Sequence, residues 1–181
     1  MAQTSASALT LWLLTALLAT PLTAVHAGVP AAYAPLVIEA QGLPERAEFD
    51  LSQALQNARQ QNKRLYVYLG ARDCPFCRRY EAFLDRHAKE LVPQFDKHRF
   101  LVVDLRSALS IQAPRLFLRI GNDSRNYTDF QRKIGDERAR RLVYPSVWVL
   151  DAEARPLMQM PGGTGTFETV EEQLEILRLE Q

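Results

Sequence analysis

Both cysteines of this 181-residue chain fall within four positions, as Cys74-Pro75-Phe76-Cys77. A disulfide that closes so short a loop removes little entropy from the unfolded chain, so the pair is a poor staple for a fold. Its position constrains the chain more than its bonding does. Just before it runs Leu65-Tyr66-Val67-Tyr68-Leu69, a β-prone apolar segment ended by Gly70. Just after it, Tyr80, Phe83, Leu84, His87 and Leu91 recur at helical spacing. Pro75 suits a first helical position, where its missing N–H leaves nothing unpaired. The chain is therefore expected to pass from a buried strand through Cys74 straight into a helix that Pro93 ends.

The flanking segments supply a sheet and its cover. Asp50, with Gln53 three residues on, reads as a capping box. It opens a helix to about Gln61 whose apolar face is Leu51, Ala54, Leu55 and Ala58. Phe100 to Leu105 reads as a second strand. Val147 to Leu150 reads as a third, turned by residues 151–155 onto a hairpin partner, Leu157 to Met160, that Gly162-Gly163 ends. Thr169 with Glu172 is a second capping box, opening a helix with the apolar stripe Val170, Leu174 and Leu177. Residues 28–49, at first rich in Ala and Pro, read as an exposed lead-in with a short strand at Leu36 to Ile38. Residues from about 106 to 141 read as an insert: Leu116 to Ile120 is apolar, Gly121-Asn122-Asp123 is a turn, and Asp129 to Arg141 is polar with helical character broken at Gly135. Strands alternating with helices predict an α/β domain over residues 50–181, a mixed central sheet flanked by helices.

The first 27 residues stand apart, for they hold no Asp, Glu, Lys or Arg. Leu9 to Leu18 is apolar, Pro21 follows, and Val25-His26-Ala27 puts small residues where a signal peptidase reads. The apolar run falls short of the roughly 20 residues a bilayer span needs. Residues 1–27 are expected to be a signal peptide cleaved after Ala27; the alternative is an uncleaved anchor. A periplasmic or secreted chain follows, with no membrane attachment after cleavage. The 22 basic and 21 acidic residues leave a formal net charge of +1, which gives no electrostatic case for nucleic acid. The basic clusters Lys63-Arg64, Arg78-Arg79 and Arg138 to Arg141 read as solvated faces.

Exported cysteines meet an oxidising compartment. A helix N-terminus carries partial positive charge and unpaired amides, and both favour a thiolate over a thiol. Cys74 is expected at an exposed tip, as the attacking sulfur. Cys77, one turn on and more deeply placed, is expected to resolve a mixed disulfide. Structural zinc needs four ligands, and with His26 removed only His87 and His98 remain. Covalent haem attachment needs His after the second cysteine, where Arg78 stands. A Cu(I)-carrying pair of thiolates stays open, as does a disulfide without catalytic use. No metal or cofactor is assigned.

A strand, then Cys-x-x-Cys at a helix start, then Tyr144-Pro145 leading an apolar strand and a hairpin, resembles the thioredoxin superfamily, in particular periplasmic thioredoxin-like thiol–disulfide oxidoreductases. The resemblance implies a thioredoxin-like fold with the insert placed before a cis-proline strand. Pro145 matches the family's cis-proline, which lies against the dithiol, and Gly162 matches the glycine after the hairpin. It implies Cys74 and Cys77 as catalytic residues, and Tyr144, Pro145, Pro75 and Phe76 as the substrate-binding surface. Protein thiols and disulfides would be the substrates, and a redox partner would reset the dithiol. Two alternatives stay open for the chain: a copper- or metal-delivery module that uses the same two sulfurs, and a thioredoxin-fold binding protein with the insert as its working surface. Pro75-Phe76 is closer to glutaredoxins and disulfide oxidases than to thioredoxin. Tyr68 stands where thioredoxin has a buried acid, and Asp73 replaces the usual tryptophan.

Overall fold

The computed structural model describes residues 28–43, 45–135, 142–160 and 169–178. The leader segment 1–27, the Arg138 to Arg141 cluster and Gly162-Gly163 lie outside them. Strand β4 (Arg64–Ala71) is central and buried on both faces. It pairs in parallel with β5 (Phe100–Ser107) and antiparallel with β8 (Ser146–Leu150). Beyond these lie β1 (Leu36–Glu39), parallel to β5, and β9 (Pro156–Met160), antiparallel to β8, giving the order β1-β5-β4-β8-β9. The mixed central sheet flanked by helices is as expected.

The strand period of two sorts the core into two clusters. Leu65, Val67 and Leu69 of β4 face one side with Val103, Leu105, Trp148 and Leu150, under helix α1 (Ser52–Gln61). Tyr66 and Tyr68 face the other with Phe100, Val102, Val147 and Val149. That side is covered by α2 (Pro75–Arg86), α3 (Ala88–Lys97) and α5 (Val170–Arg178). The Thr169–Glu172 capping box forms, each backbone N–H donating to the other's side chain at 3.3 Å. In the sheet–helix interface, Tyr80 Oη of α2 donates to Gln173 Oε1 of α5 at 2.5 Å.

Three expectations change. Asp50 is not the N-cap of α1 and forms no capping box with Gln53, whose side chain bonds Asn57: it ends a strand, and its carboxylate accepts the Ser52 N–H and hydroxyl in a local turn. The Ser52 hydroxyl accepts the Gly121 N–H at 2.7 Å, so it serves a turn elsewhere in the chain. The second helix does not run to Pro93. It breaks at His87, and Pro93 lies inside α3. The break lets Leu91 and Phe95 pack with Tyr66 and Tyr33, and the Leu84 carbonyl near the break accepts the Tyr33 hydroxyl at 2.9 Å.

The third change is the largest. The lead-in is not a loose extension, and the insert is not an isolated excursion. Strands β2 (Gln41–Leu43) and β3 (Arg46–Asp50) come from the former. From the latter come β6 (Leu116–Ile120), β7 (Asp123–Asn126) and helix α4 (Tyr127–Lys133). The four strands form a second sheet, β2-β3-β6-β7, with β3 parallel to β6 in the register Ala47↔Leu116. Its Phe49, Leu116 and Leu118, with Tyr127 and Phe130 of α4, complete the cluster under β4 and α1. Leu118→Ala is therefore expected to cost about 2–5 kcal/mol in urea unfolding, as a core truncation does. A loss within about 0.5 kcal/mol, the range of a surface substitution, would show the insert to be padding.

Candidate active site

The loop between β4 and α2 is three residues long, Arg72-Asp73-Cys74. Cys74 keeps extended backbone (φ −88°, ψ 112°) and is the N-cap of α2, with Pro75 at the first helical position. Its Sγ accepts the Cys77 N–H at 3.0 Å, so the sulfur satisfies one of the helix's free donors. Cys74 and Cys77 are joined by a disulfide with Cα atoms 5.2 Å apart. Cys77 is fully buried. Cys74 is only 4% exposed, so the expected exposed tip is corrected to a sheltered one. The shelter comes from Ala71 and Tyr144, which pack against the pair.

Tyr144 precedes a buried Pro145 through a cis peptide bond, at the entrance to β8. The Tyr144 hydroxyl donates to the Ile111 carbonyl at 3.2 Å and accepts the Ile111 N–H at 3.1 Å. Burial pushes its phenol up to about 12, against the pull of the Ile111 N–H, so the hydroxyl keeps its proton through neutral pH. On the other side of the dithiol, Asp73 Oδ1 accepts both the Ser110 N–H and the Ser110 hydroxyl at 2.8 Å. The segment from Ser107 to Ile111 is thus pinned from two directions. Arg78 Nη1 donates to the Arg72 carbonyl at 2.8 Å, and the Arg79 guanidinium lies 5.7 Å from the Phe76 ring centre. Both cations stand on the first turn of α2, where they favour a thiolate. Phe76 is 38% exposed, an apolar ring at the mouth of the site.

Beneath the dithiol lies a polar layer. Tyr68 Oη donates to Glu81 Oε1 at 2.8 Å. Glu81 is buried and sits four residues after Cys77 on α2, one turn along the same face. Burial, and then the Glu81 charge, push the Tyr68 phenol well above its usual range, so it stays a donor. Opposite Tyr68 in the β4–β5 register is Asp104, fully buried. Its Oδ2 accepts the Val29 N–H at 2.9 Å and two guanidinium nitrogens of Arg106 at 2.7 Å each.

Residues 51–177 match the family model of the thioredoxin-like domain. The chain belongs to this family. No curated protein sequence matches it significantly. Membership agrees with thiol redox chemistry at superfamily level and does not by itself assign a substrate or a direction.

Of the six site residues expected in this thioredoxin-like protein, the structure brings Cys74, Cys77 and Tyr144 into one cluster and places Pro75 and Phe76 on the adjoining first helical turn. Pro145 lies next to Tyr144 in the chain with the expected cis bond. Sequence reading missed the buried carboxylates. Glu81 had a signal, for Cys77, Glu81 and Leu84 follow i, i+4, i+7 spacing on the inward face. Asp104 had one too, as a charge inside a strand buried on both sides. Among the described residues, no group of three or more His, Cys, Asp or Glu side chains is placed to hold a metal ion.

Tyr144→Phe removes both hydrogen bonds to Ile111. It is expected to cost about 1–3 kcal/mol and to speed amide exchange at Ile111. The phenol is raised in the folded chain from 10.0 to about 12. Its share of stability is therefore fully present below pH 10 and is lost as the pH rises towards 12. Alkaline unfolding curves that coincide for the wild type and Tyr144→Phe would contradict this.

Proposed function

We propose that the protein is an exported thiol–disulfide oxidoreductase that exchanges disulfides with protein thiols through Cys74 and Cys77. The observation that carries this reading is Cys74 Sγ as the N-cap acceptor of α2, with a fully buried Cys77 behind it. In the reducing direction, the Cys74 thiolate attacks one sulfur of a substrate disulfide. The S–S bond of the substrate breaks, its second sulfur leaves as a thiolate, and a mixed disulfide forms at Cys74. Cys77 then gives its proton to the Glu81 carboxylate, one turn away, and attacks Cys74 Sγ. The substrate's remaining sulfur leaves as a thiolate and takes a proton from solvent or from Glu81. The substrate has gained two electrons, and Cys74 and Cys77 are a disulfide again. Run backwards, the same steps oxidise a substrate dithiol.

A partner dithiol or disulfide protein resets the pair in either direction. The half-buried Tyr144, next in the chain to the buried Pro145, and the exposed Phe76 supply the surface against which an extended substrate lies. Proline offers no N–H there, so nothing on it competes with the sulfurs. The location, periplasmic or secreted, rests on the leader-like residues 1–27.

Cys77→Ser is expected to accumulate mixed disulfides at Cys74, found by mass spectrometry after acid quenching, while Cys74→Ser accumulates none. Trapping by Cys74→Ser alone would reverse the two roles. Glu81→Gln is expected to slow resolution of the mixed disulfide by about 10- to 100-fold, the lower part of the range for a positioned base. Alkylation of Cys74 by a small reagent should change far less, and equal slowing of both steps would remove Glu81 from the mechanism. The reduction potential sets the direction: near −270 mV the protein reduces, near −120 mV it oxidises.

A further inference from the structure

The polar layer under the dithiol has an unmet acceptor. Asp104 is fully buried, and its Oδ1 has no hydrogen-bond partner among the described residues, although Oδ2 has three donors. Burial pushes the Asp104 carboxyl above its usual range even with the Arg106 guanidinium against it, and Glu81 adds to the rise. Asp104 and Glu81 both border a cavity of about 10 Å³, room for the centre of one small polar group. Tyr68 and Gly28 border it as well. Arg106 is the cation that touches Asp104, whereas Arg72, at the same cavity, is exposed. Two buried carboxylates thus face one partly buried guanidinium.

Gly28 is the residue the leader reading places at the mature N-terminus. It is buried, with φ +128°, and a Cβ on it would collide with the Arg106 guanidinium. The next residue, Val29, already donates its N–H to Asp104 at 2.9 Å. Successive backbone nitrogens lie within about 4 Å of each other, so the nitrogen of Gly28 lies within about 7 Å of the same carboxylate.

We propose that removal of residues 1–27 frees the Gly28 α-ammonium to pair with the buried Asp104 carboxylate, so that export processing completes the charged layer beneath the Cys74–Cys77 site. This rests on the exported reading above. Before cleavage the Gly28 nitrogen is an uncharged amide with one hydrogen. Afterwards it carries three donors and a positive charge, which matches an unpaired acceptor and an excess of negative charge. Ala71 borders the cavity and packs on both cysteines, so the new charge lies one residue's thickness from the sulfurs.

The test uses three preparations: the exported native protein, a chain released by a protease so that it starts at Gly28, and the same chain with one added Ala before Gly28. Acylation of the terminal amine by a small reagent, read by mass spectrometry of the first peptide, is compared folded and in urea. At pH 7 the folded Gly28-start chain should react at least about tenfold more slowly, the effect of a one-unit rise in pKa alone. The pH dependence of that rate should place the amine above the 7.7–8.0 of a free terminus. Burial without an ion pair would lower it, and a value at or below the free range overturns the proposal. The added Ala should lower the midpoint of thermal unfolding by several degrees in the wild type and not in Asp104→Asn. Equal shifts in both backgrounds overturn the pairing. Should Asp104→Asn not fold, the amine's pH dependence decides alone. A native start other than Gly28 overturns the link to processing together with the cleavage point. A native start at Gly28 with an unprotected amine overturns only the ion pair.

Discussion

Strand β4 is the constraint on which the site depends. It is paired on both edges and buried on both faces, so its register and its end point have no freedom. A one-residue slip would exchange Leu65, Val67 and Leu69 for Tyr66 and Tyr68 between two differently shaped cores. Because β4 is fixed, Ala71 is fixed, and three residues later Cys74 must serve as the N-cap of α2. The sulfur's environment follows from this placement. It is held at the end of a helix, one of whose free amides it satisfies, beside two arginines of α2. Asp73, the negative charge nearest in sequence, spends its carboxylate on both donors of Ser110.

What was legible in the sequence is what local chemistry writes. The strand–Cys–helix step, the Thr169–Glu172 box, the hairpin after Val147 to Leu150 and the Tyr144-Pro145 step each rest on a few adjacent residues. The second sheet was not legible for the converse reason. β2 is Gln-Gly-Leu, exposed throughout, and β7 is Asp-Ser-Arg-Asn, nowhere fully buried, so neither shows strand alternation. Their partners lie far off in sequence: Arg46 donates to the Ser124 hydroxyl at 3.0 Å, across 78 positions. Glu48 is held by Arg119, Ser124 and Arg46, which lowers its carboxyl below the usual range despite partial burial. Such a sheet is specified by polar cross-strand pairs and by the apolar inner residues of β3 and β6. A reading by hydrophobic period sees only the latter.

Asp50 shows the same limit at the scale of one residue. As a sequence it satisfies the capping signature. As a structure it lies at the end of β3, paired with Arg119, and turns its carboxylate onto Ser52 instead of a donor one residue further on. The tertiary pairing of β3 with β6 decides, because it adds a ladder of backbone hydrogen bonds where a cap adds one.

The buried carboxylates explain why a tyrosine suits position 68. Position 68 points from β4 towards α2, into the layer under Cys77. An acid there would stand beside Glu81 and face Asp104 across the register, placing three like charges in a space that water barely enters. A phenol removes one charge and supplies a donor that Glu81 accepts. Glu81 lies on the helix that carries Cys77 itself. A carboxylate on the same helix as Cys77 keeps its distance from that sulfur whatever the sheet does. The placement of Cys74 depends instead on the strand–helix junction and on Tyr144, which packs against it. Glu81 and Cys77 thus sit on one rigid element, α2, and Cys74 at its tip, with Tyr144 and Asp73 joining that region to the segment from Ser107 to Ile111. Each of those ties is a neutral or singly charged hydrogen bond of about 0.5–3 kcal/mol. Uncovering the sheltered Cys74 sulfur would break only such contacts and leave the core intact.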